Sequence, residues 1–168
     1  MKRIKNILHP TDFSQPCATA LEIASSLARD HDARLLLLHV VPRVAPMTEG
    51  GDRLALRRAE SQEQDQKSYQ ESMRGKLQQL PLPGLDVPTE RLFVEGPVVA
   101  EILRAARDRS CDVIVMGTHG WTDEARRLLG SVAEAVSQQA PCPVVMVKAP
   151  LEVPEPTGHT PEEAGVSR

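Results

Sequence analysis

Five short apolar segments recur along the chain, and polar or amphipathic segments separate them. The apolar segments are predicted as β-strands at 4–9, 34–41, 89–94, 112–116 and 143–147. The second of these is apolar at successive rather than alternate positions, which is typical of a parallel strand covered on both faces. The pattern therefore indicates a sheet that lies between two layers of helices.

The segments between the strands predict helices. Ser14 is a suitable N-cap for the first, in which apolar residues recur at helical spacing. Segment 54–80 is mostly polar, but its second half carries a narrow apolar stripe that is expected to dock on the sheet: Tyr69, Met73, Leu77 and Leu80. Further helices are predicted from Gly96-Pro97 and over 131–139. This β-α alternation predicts one domain over residues 1–149, a five-stranded, doubly wound parallel sheet with helices on both faces, and a disordered tail over 150–168.

Composition narrows the classes of function. Apolar residues make up 40% of the 168 positions but aromatic residues only 2%, so the core is expected to be aliphatic. A formal net charge of −3 without a dense basic run argues against nucleic acid or an anionic membrane as the main partner. Cys17, Cys111 and Cys142 are widely spaced, which favours reduced, mostly buried thiols over disulfides or a metal site. No signal peptide or membrane-length apolar run occurs, so a cytoplasmic location is expected.

Glycines follow the fourth strand in a pattern that suits an anion. Gly117 and Gly120 come first, and Gly130-Ser131 stands after nine further residues at the start of the next helix. Glycine permits positive φ and close approach of the backbone to a ligand, so its N–H groups could cradle phosphates. Two alternatives need no ligand: a tight strand-to-helix turn, and a capping box formed by Ser131 and Glu134.

Several polar residues are further candidates. Asp12 follows the first strand and could accept hydrogen bonds from ribose hydroxyls or a base amino group, although an Asx-turn explains it equally well. His9 and His39 lie in predicted strands and are interpreted as core histidines. His119 lies between the loop glycines and could reach a phosphate, and the Arg126-Arg127 pair supplies the cations near the proposed phosphates, with surface solvation as its alternative role.

The sequence contains no recognisable catalytic constellation. It has no Gly-x-x-x-x-Gly-Lys-Ser/Thr loop, no nucleophile elbow, no His-Glu-x-x-His helix and no paired-cysteine metal motif. A binding protein is therefore favoured over an enzyme.

Residues 3 to 148 resemble the universal stress protein family. The ATP-binding subgroup of that family is marked by Gly-x-x-Gly, nine residues, and Gly-Ser or Gly-Thr, which stand here as Gly117, Gly120, Gly130 and Ser131. Supporting matches are the segments at 10–14, 39–41 and 140–145. Two departures from the family pattern lie in the intervening loop. Many relatives carry glycine where Asp123 stands, and an acid there would oppose phosphate unless a divalent cation bridges them. Trp121 is also unusual in this loop.

The resemblance implies an open, Rossmann-like sheet of the adenine nucleotide alpha hydrolase-like type, with strand order 3-2-1-4-5. It implies ATP, together with Mg²⁺, and a homodimer that pairs through the last strand at Val144–Val147. The resemblance implies that adenine lies near Pro10, Thr11, Asp12 and Val40, and that Met116 and Gly117 lie beside the nucleoside. It implies that the phosphates lie against Gly120, Gly130, Ser131 and Val132. To these the sequence adds His119 and Arg126.

The leading hypothesis is a cytosolic, dimeric ATP-binding regulatory protein of the stress response, with slow hydrolysis at most and with segment 54–80 as a mobile element. One alternative is a dimeric interaction module of the same fold that binds no nucleotide. An adenylyl- or pyrophosphate-transferring enzyme would need a Ser/Gly-rich loop after the first strand, and 10–13 does not supply it. A phospho-receiver domain would need an acceptor Asp after the third strand, where Val94-Glu95 stands.

Overall fold

Strands and helices alternate in the order that the hydrophobic pattern predicts. The computed structural model describes residues 3–43, 53–83, 87–118 and 130–148. The limits of α4 and β2 coincide with the prediction, and most other boundaries move by one or two residues. Within the described ranges the elements are β1 (Asn6–Pro10), α1 (Gln15–His31), β2 (Arg34–Val41), α2 (Arg53–Gln79), β3 (Thr89–Glu95), α3 (Val98–Asp108), β4 (Val113–Gly117), α4 (Ser131–Gln139) and β5 (Val144–Val147).

The five strands form one parallel sheet in the order β3-β2-β1-β4-β5, as the resemblance implies. β1 lies at the centre and pairs with both β2 and β4. The chain builds outwards from β1 to β3 and then returns to place β4 on the other side of β1. Ligands of open parallel sheets collect beyond the carboxyl ends of the strands at such a reversal.

Each face of the sheet carries its own aliphatic core, which confirms the doubly wound prediction. α1 and α2 cover one face, where Leu35 and Leu37 are buried, and α3 and α4 cover the other, where Leu36 and Leu38 are buried. Successive residues of β2 therefore contact opposite layers. This explains why apolar residues stand at successive rather than alternate positions of the strand.

β1 runs one residue further than predicted, because Pro10 does not end it. Pro10 pairs in register with Leu38, and the next residue, Thr11, donates its N–H to the Leu38 carbonyl at 2.8 Å. The registered pairs between β1 and β4 end earlier, at Leu8 and Ile114. The proline nitrogen, which cannot donate, thus falls on the side of the strand where the ladder has already finished.

α2 docks on the sheet through its carboxyl-terminal half. Leu77 is fully buried, and the Arg91 guanidinium donates to the carbonyls of Leu77 and Leu80 at 2.9 and 3.0 Å, closing the end of the helix. The Arg74 guanidinium carbon lies 4.4 Å from the centre of the Phe93 ring. By contrast, the side chains at 60–65, further towards the start of the helix, are exposed.

The three cysteines are free thiols, as predicted. Cys17 and Cys111 are buried and Cys142 is half-buried. Burial raises the pKa of the Cys111 thiol to about 12, with the nearby Cys142 contributing in the same direction. No helix in the described ranges combines the length and hydrophobicity needed to cross a membrane.

Candidate functional site

A cavity of about 590 Å³ lies beyond the carboxyl ends of β1, β2 and β4. It opens at the reversal of strand order, between the strand ends and the start of α4. The structure brings together around it nine of the residues that the sequence assigns to a nucleotide: Pro10, Thr11, Asp12, Val40, Met116, Gly117, Gly130, Ser131 and Val132. These residues come from four separate stretches of the chain.

Six loop residues of the sequence analysis lie outside the described residues. These are His119, Gly120, Trp121, Asp123, Arg126 and Arg127. Their predicted roles at the phosphates therefore stay predictions. The two ends of this loop are held together, because the Gly130 N–H donates to the Thr118 carbonyl at 2.7 Å. The Thr118 N–H in turn donates to the Val147 carbonyl of β5 at 2.9 Å.

The β1–α1 connection is fixed by its own side chains. One Asp12 carboxylate oxygen accepts from the Ser14 N–H at 2.9 Å, which is the predicted Asx-turn, and the Thr11 hydroxyl oxygen accepts from the Phe13 N–H at 3.1 Å. Phe13 is left-handed, with φ of 64°, a conformation that a bulky residue adopts only when its surroundings impose it. Asp12 thus lines the cavity in a turn that its own side chain fixes.

His39 connects the end of β2 to this turn. Its Nδ1 donates to the Thr11 carbonyl at 2.7 Å, and the centre of its ring lies 4.6 Å from that of Phe13 and 5.9 Å from that of Phe93. The side chain is buried, as predicted for a core histidine, and it also lines the cavity. Burial lowers the pKa of His39, against an opposing effect of the Thr11 carbonyl and Asp12.

His9 performs a similar task between β1 and β4. It is fully buried, as predicted, and its Nδ1 donates to the Val115 carbonyl at 2.8 Å. This bond links the two strands beyond the last registered pair of their ladder. Burial lowers the pKa of His9 to about 4, so the imidazole is neutral at physiological pH. The two histidines therefore hold together the strand ends that border the cavity.

The start of α4 supplies backbone donors to the cavity. The N-cap is Gly130, with φ of −71° and ψ of 151°, and no side chain caps the helix. The predicted capping box of Ser131 and Glu134 is wrong, because Ser131 is already the first helical residue and lies one position past the N-cap. The first intrahelical bond runs from the Glu134 N–H to the Gly130 carbonyl. The preceding N–H groups have no intrahelical acceptor and, with the helix dipole, favour an anion.

Gly117 is needed for a different reason from the predicted one. Its φ is not positive; it is the last residue of β4. A Cβ at this position would lie 3.0 Å from the carbonyl carbon and from the Cβ of Pro16, and 3.2 Å from the Cys17 nitrogen. The close approach that requires glycine is therefore that of α1, whose first turn crosses the end of β4.

The sequence analysis did not foresee the part of the cavity that α2 forms. Tyr69, Met73 and Lys76 line it from this helix, and Lys76 is a cation that the sequence had not associated with the site. The prediction that Tyr69 docks on the sheet is wrong, because 51% of this residue is exposed. Within the described part of the chain, no group of three or more His, Cys, Asp or Glu could hold a metal ion.

Comparison with known proteins identifies the family. The model of the universal stress protein family matches residues 3–148. Universal stress protein MJ0531 of Methanocaldococcus jannaschii is 36% identical over 149 residues, which cover 87% of this chain and 83% of that protein. The solved structure of UspA from Lactobacillus plantarum has a TM-score of 0.63 at 26% identity and covers 88% of this chain and 99% of its own.

A universal stress protein solved in complex with cAMP shares the fold, with a TM-score of 0.56 at 23% identity over 89% of this chain and 100% of its own. The matched family model spans every strand and helix described above. The chain belongs to the universal stress protein family.

Proposed function

We propose that the protein binds ATP in the cavity at the carboxyl edge of the sheet, and that it acts as a regulatory protein of the stress response rather than as a metabolic enzyme. One observation carries the proposal: four separate stretches of the chain bring nine residues of the expected nucleotide site around one cavity. The strand reversal on which this cavity lies is the usual position for nucleotides in open parallel sheets.

The two ends of the cavity differ in chemistry as a nucleotide requires. The first turn of α4 presents backbone N–H groups that have no acceptor within the helix, and such groups suit the phosphates. The end of β2 and the start of α3 present apolar side chains, Val40, Val98 and Ile102, which suit one face of a base. Asp12 also lines the cavity and is a suitable acceptor for ribose hydroxyls. Mg²⁺ would enter with the phosphates, since it is commonly held by substrate phosphates and one or two carboxylates.

The regulatory part of the proposal includes a homodimer in the cytoplasm that acts on protein partners. β5 is an edge strand, and Val145 and Met146 are exposed on it to 37% and 39%. An apolar edge of this kind offers unpaired backbone groups to a second copy. ATP hydrolysis, if present, is expected to be far slower than the roughly 10 turnovers per second of a typical enzyme.

The test is calorimetric titration of the nucleotide-stripped protein with ATP and Mg²⁺. We expect a dissociation constant in the micromolar range, which corresponds to about 8 kcal/mol. Gly130→Glu is expected to abolish binding, because its carboxylate would lie where the phosphates meet the start of α4. Gln138→Glu is the matched control: it adds the same charge to an exposed position near the other end of α4 and should leave affinity unchanged.

cAMP serves as the competing ligand in the same experiment. The likeness to the cAMP-bound relative is one of fold, so a preference for cAMP has to be measured rather than assumed. Binding of ATP that both glutamate variants retain would refute the assigned position of the phosphates. No heat with either nucleotide would refute nucleotide binding and favour the alternative, an interaction module of the same fold.

A further inference from the structure

The cavity extends beyond the residues that the nucleotide motif explains. It passes over the end of β2 and continues on the face of the sheet that carries α1 and α2. On this side Phe13, His39, Tyr69, Met73 and Lys76 line it. None of these positions belongs to the glycine motif or to the residues expected around ATP. We name these five residues the α2 wall.

Aromatic residues are concentrated at the α2 wall. The whole chain has one Trp, one Tyr and two Phe. Phe13 and Tyr69 line the cavity, and Phe93 lies next to the His39 ring. In a protein whose core is otherwise aliphatic, this places three of the four aromatic side chains in or beside one cavity. Aromatic faces are well suited to planar ligands such as nucleobases, which they contact by stacking.

α2 holds its side chains at the cavity without help from a ligand. Residues 69, 73 and 76 are four and three positions apart, so they share one face of the helix. Leu77 anchors the same stretch in the core, and the Arg91 guanidinium fixes its last turn through two carbonyl oxygens. A half-exposed tyrosine on a helix anchored in this way is preorganised, so contact with a ligand would cost little ordering.

We propose that Tyr69, Met73 and Lys76 of α2 recognise the base of the bound nucleotide and so determine which nucleotide the site prefers. This inference rests on the proposed ATP site. The Tyr69 ring packs against the base, and the Met73 thioether contacts the edge of the ring system. The Lys76 ammonium can only donate hydrogen bonds, so it pairs with an acceptor nitrogen of the purine. The phosphates remain at α4, on the other side of β2.

The experiment compares a nucleotide with a ligand that lacks the base. ATP and inorganic tripolyphosphate, each with Mg²⁺, are titrated into the full-length protein and into Tyr69→Ala, Tyr69→Phe and Lys76→Ala. We expect Tyr69→Ala to weaken ATP binding by about tenfold or more, in line with base–aromatic stacking elsewhere. Tyr69→Phe keeps the ring and should keep the affinity. Tripolyphosphate should bind all the proteins equally.

Lys67→Ala is the control for Lys76→Ala. It removes the same charge from an exposed position of the same helix that does not line the cavity. ATP affinity that is lowered by Lys76→Ala but not by Lys67→Ala supports the inference. Equal ATP affinity in the wild type, Tyr69→Ala and Lys76→Ala would overturn the inference while leaving the proposed ATP site intact. A loss of affinity that is equal for ATP and for tripolyphosphate would also overturn the inference. A wild-type protein that binds no ATP would overturn the proposed function as well.

Discussion

Protonation of His9 should make the fold less stable in mild acid. His9 is fully buried, and its pKa is lowered from 6.5 to about 4 in the folded protein. In the unfolded chain it titrates near its ordinary value. Between these two values the unfolded state binds a proton that the folded state does not. Its contribution is therefore constant above about pH 6.5, and stability is lost as pH falls from there towards 4.

The size of the effect follows from the shift. A lowering from 6.5 to about 4 corresponds to roughly 3 kcal/mol when the whole interval is crossed. Between pH 7 and pH 5 the loss is about 2 kcal/mol, because the unfolded imidazole is mostly protonated at pH 5 while the folded one is still neutral. This is a substantial part of the stability of a typical domain.

Urea denaturation of the wild type and of His9→Asn, at pH 7 and at pH 5, measures the contribution of His9 to the free energy of unfolding. The asparagine amide can still donate to the Val115 carbonyl but does not titrate. The variant is expected to be less stable at pH 7, since it fills less of the core, and to lose about 2 kcal/mol less than the wild type between pH 7 and pH 5. His39, whose pKa is also lowered, stays in both proteins and cancels. Equal losses in the two proteins would refute the assignment.

Two further predictions concern packing and assembly. Gly117→Ala should destabilise the protein by about 1–3 kcal/mol, because the new methyl group would lie 3.0 Å from Pro16. Gly75→Ala in α2 should stabilise it by about 0.5–1 kcal/mol, because no atom lies within 4 Å of the new methyl group. Urea midpoints of the two variants that move in the same direction would contradict this contrast. The proposed dimer should sediment at twice the 18.4 kDa mass of the chain, and Met146→Lys should reduce it to a monomer; a wild-type protein that sediments as a single chain would contradict pairing through β5.

The fold could be predicted because its determinants are local. The run of successive apolar residues in β2 indicates a strand between two helical layers, and burial at successive positions from Leu35 to Val41 confirms this. The order of the strands came from the resemblance, since alternation alone fixes a doubly wound sheet but not which strand lies at its centre.

The site was less predictable where one sequence pattern is compatible with two local structures. A serine followed three residues later by a glutamate is a capping box only if the helix starts after the serine. Here the Glu134 N–H donates to the Gly130 carbonyl, so Gly130 is the N-cap and the helix starts one residue earlier than the box requires. The spacing of Ser131 and Glu134 alone does not show which residue is the N-cap.

The α2 wall was missed for a related reason. The stripe at Tyr69, Met73 and Leu77 has helical periodicity, and periodicity shows which residues share a face but not what that face meets. The Leu77 anchor and the Arg91 contacts decide that the stripe crosses from the core to the cavity along its length. Only the assembled sheet shows this crossing.

Gly117 shows how a motif residue can be explained without a ligand. Its position in the glycine motif implies contact with the nucleotide, yet the first turn of α1 already lies 3.0 Å from where a Cβ would stand. Thr11 and Asp12, in the connection that leads into α1, line the cavity. The glycine helps to shape the site by letting α1 approach β4. A substitution at Gly117 would therefore disturb the fold and the site together. Gly130 and Tyr69 border the cavity, and at these positions the loss of a ligand contact can be separated from the loss of structure. This is why the binding experiments change those residues and leave Gly117 to the stability measurement.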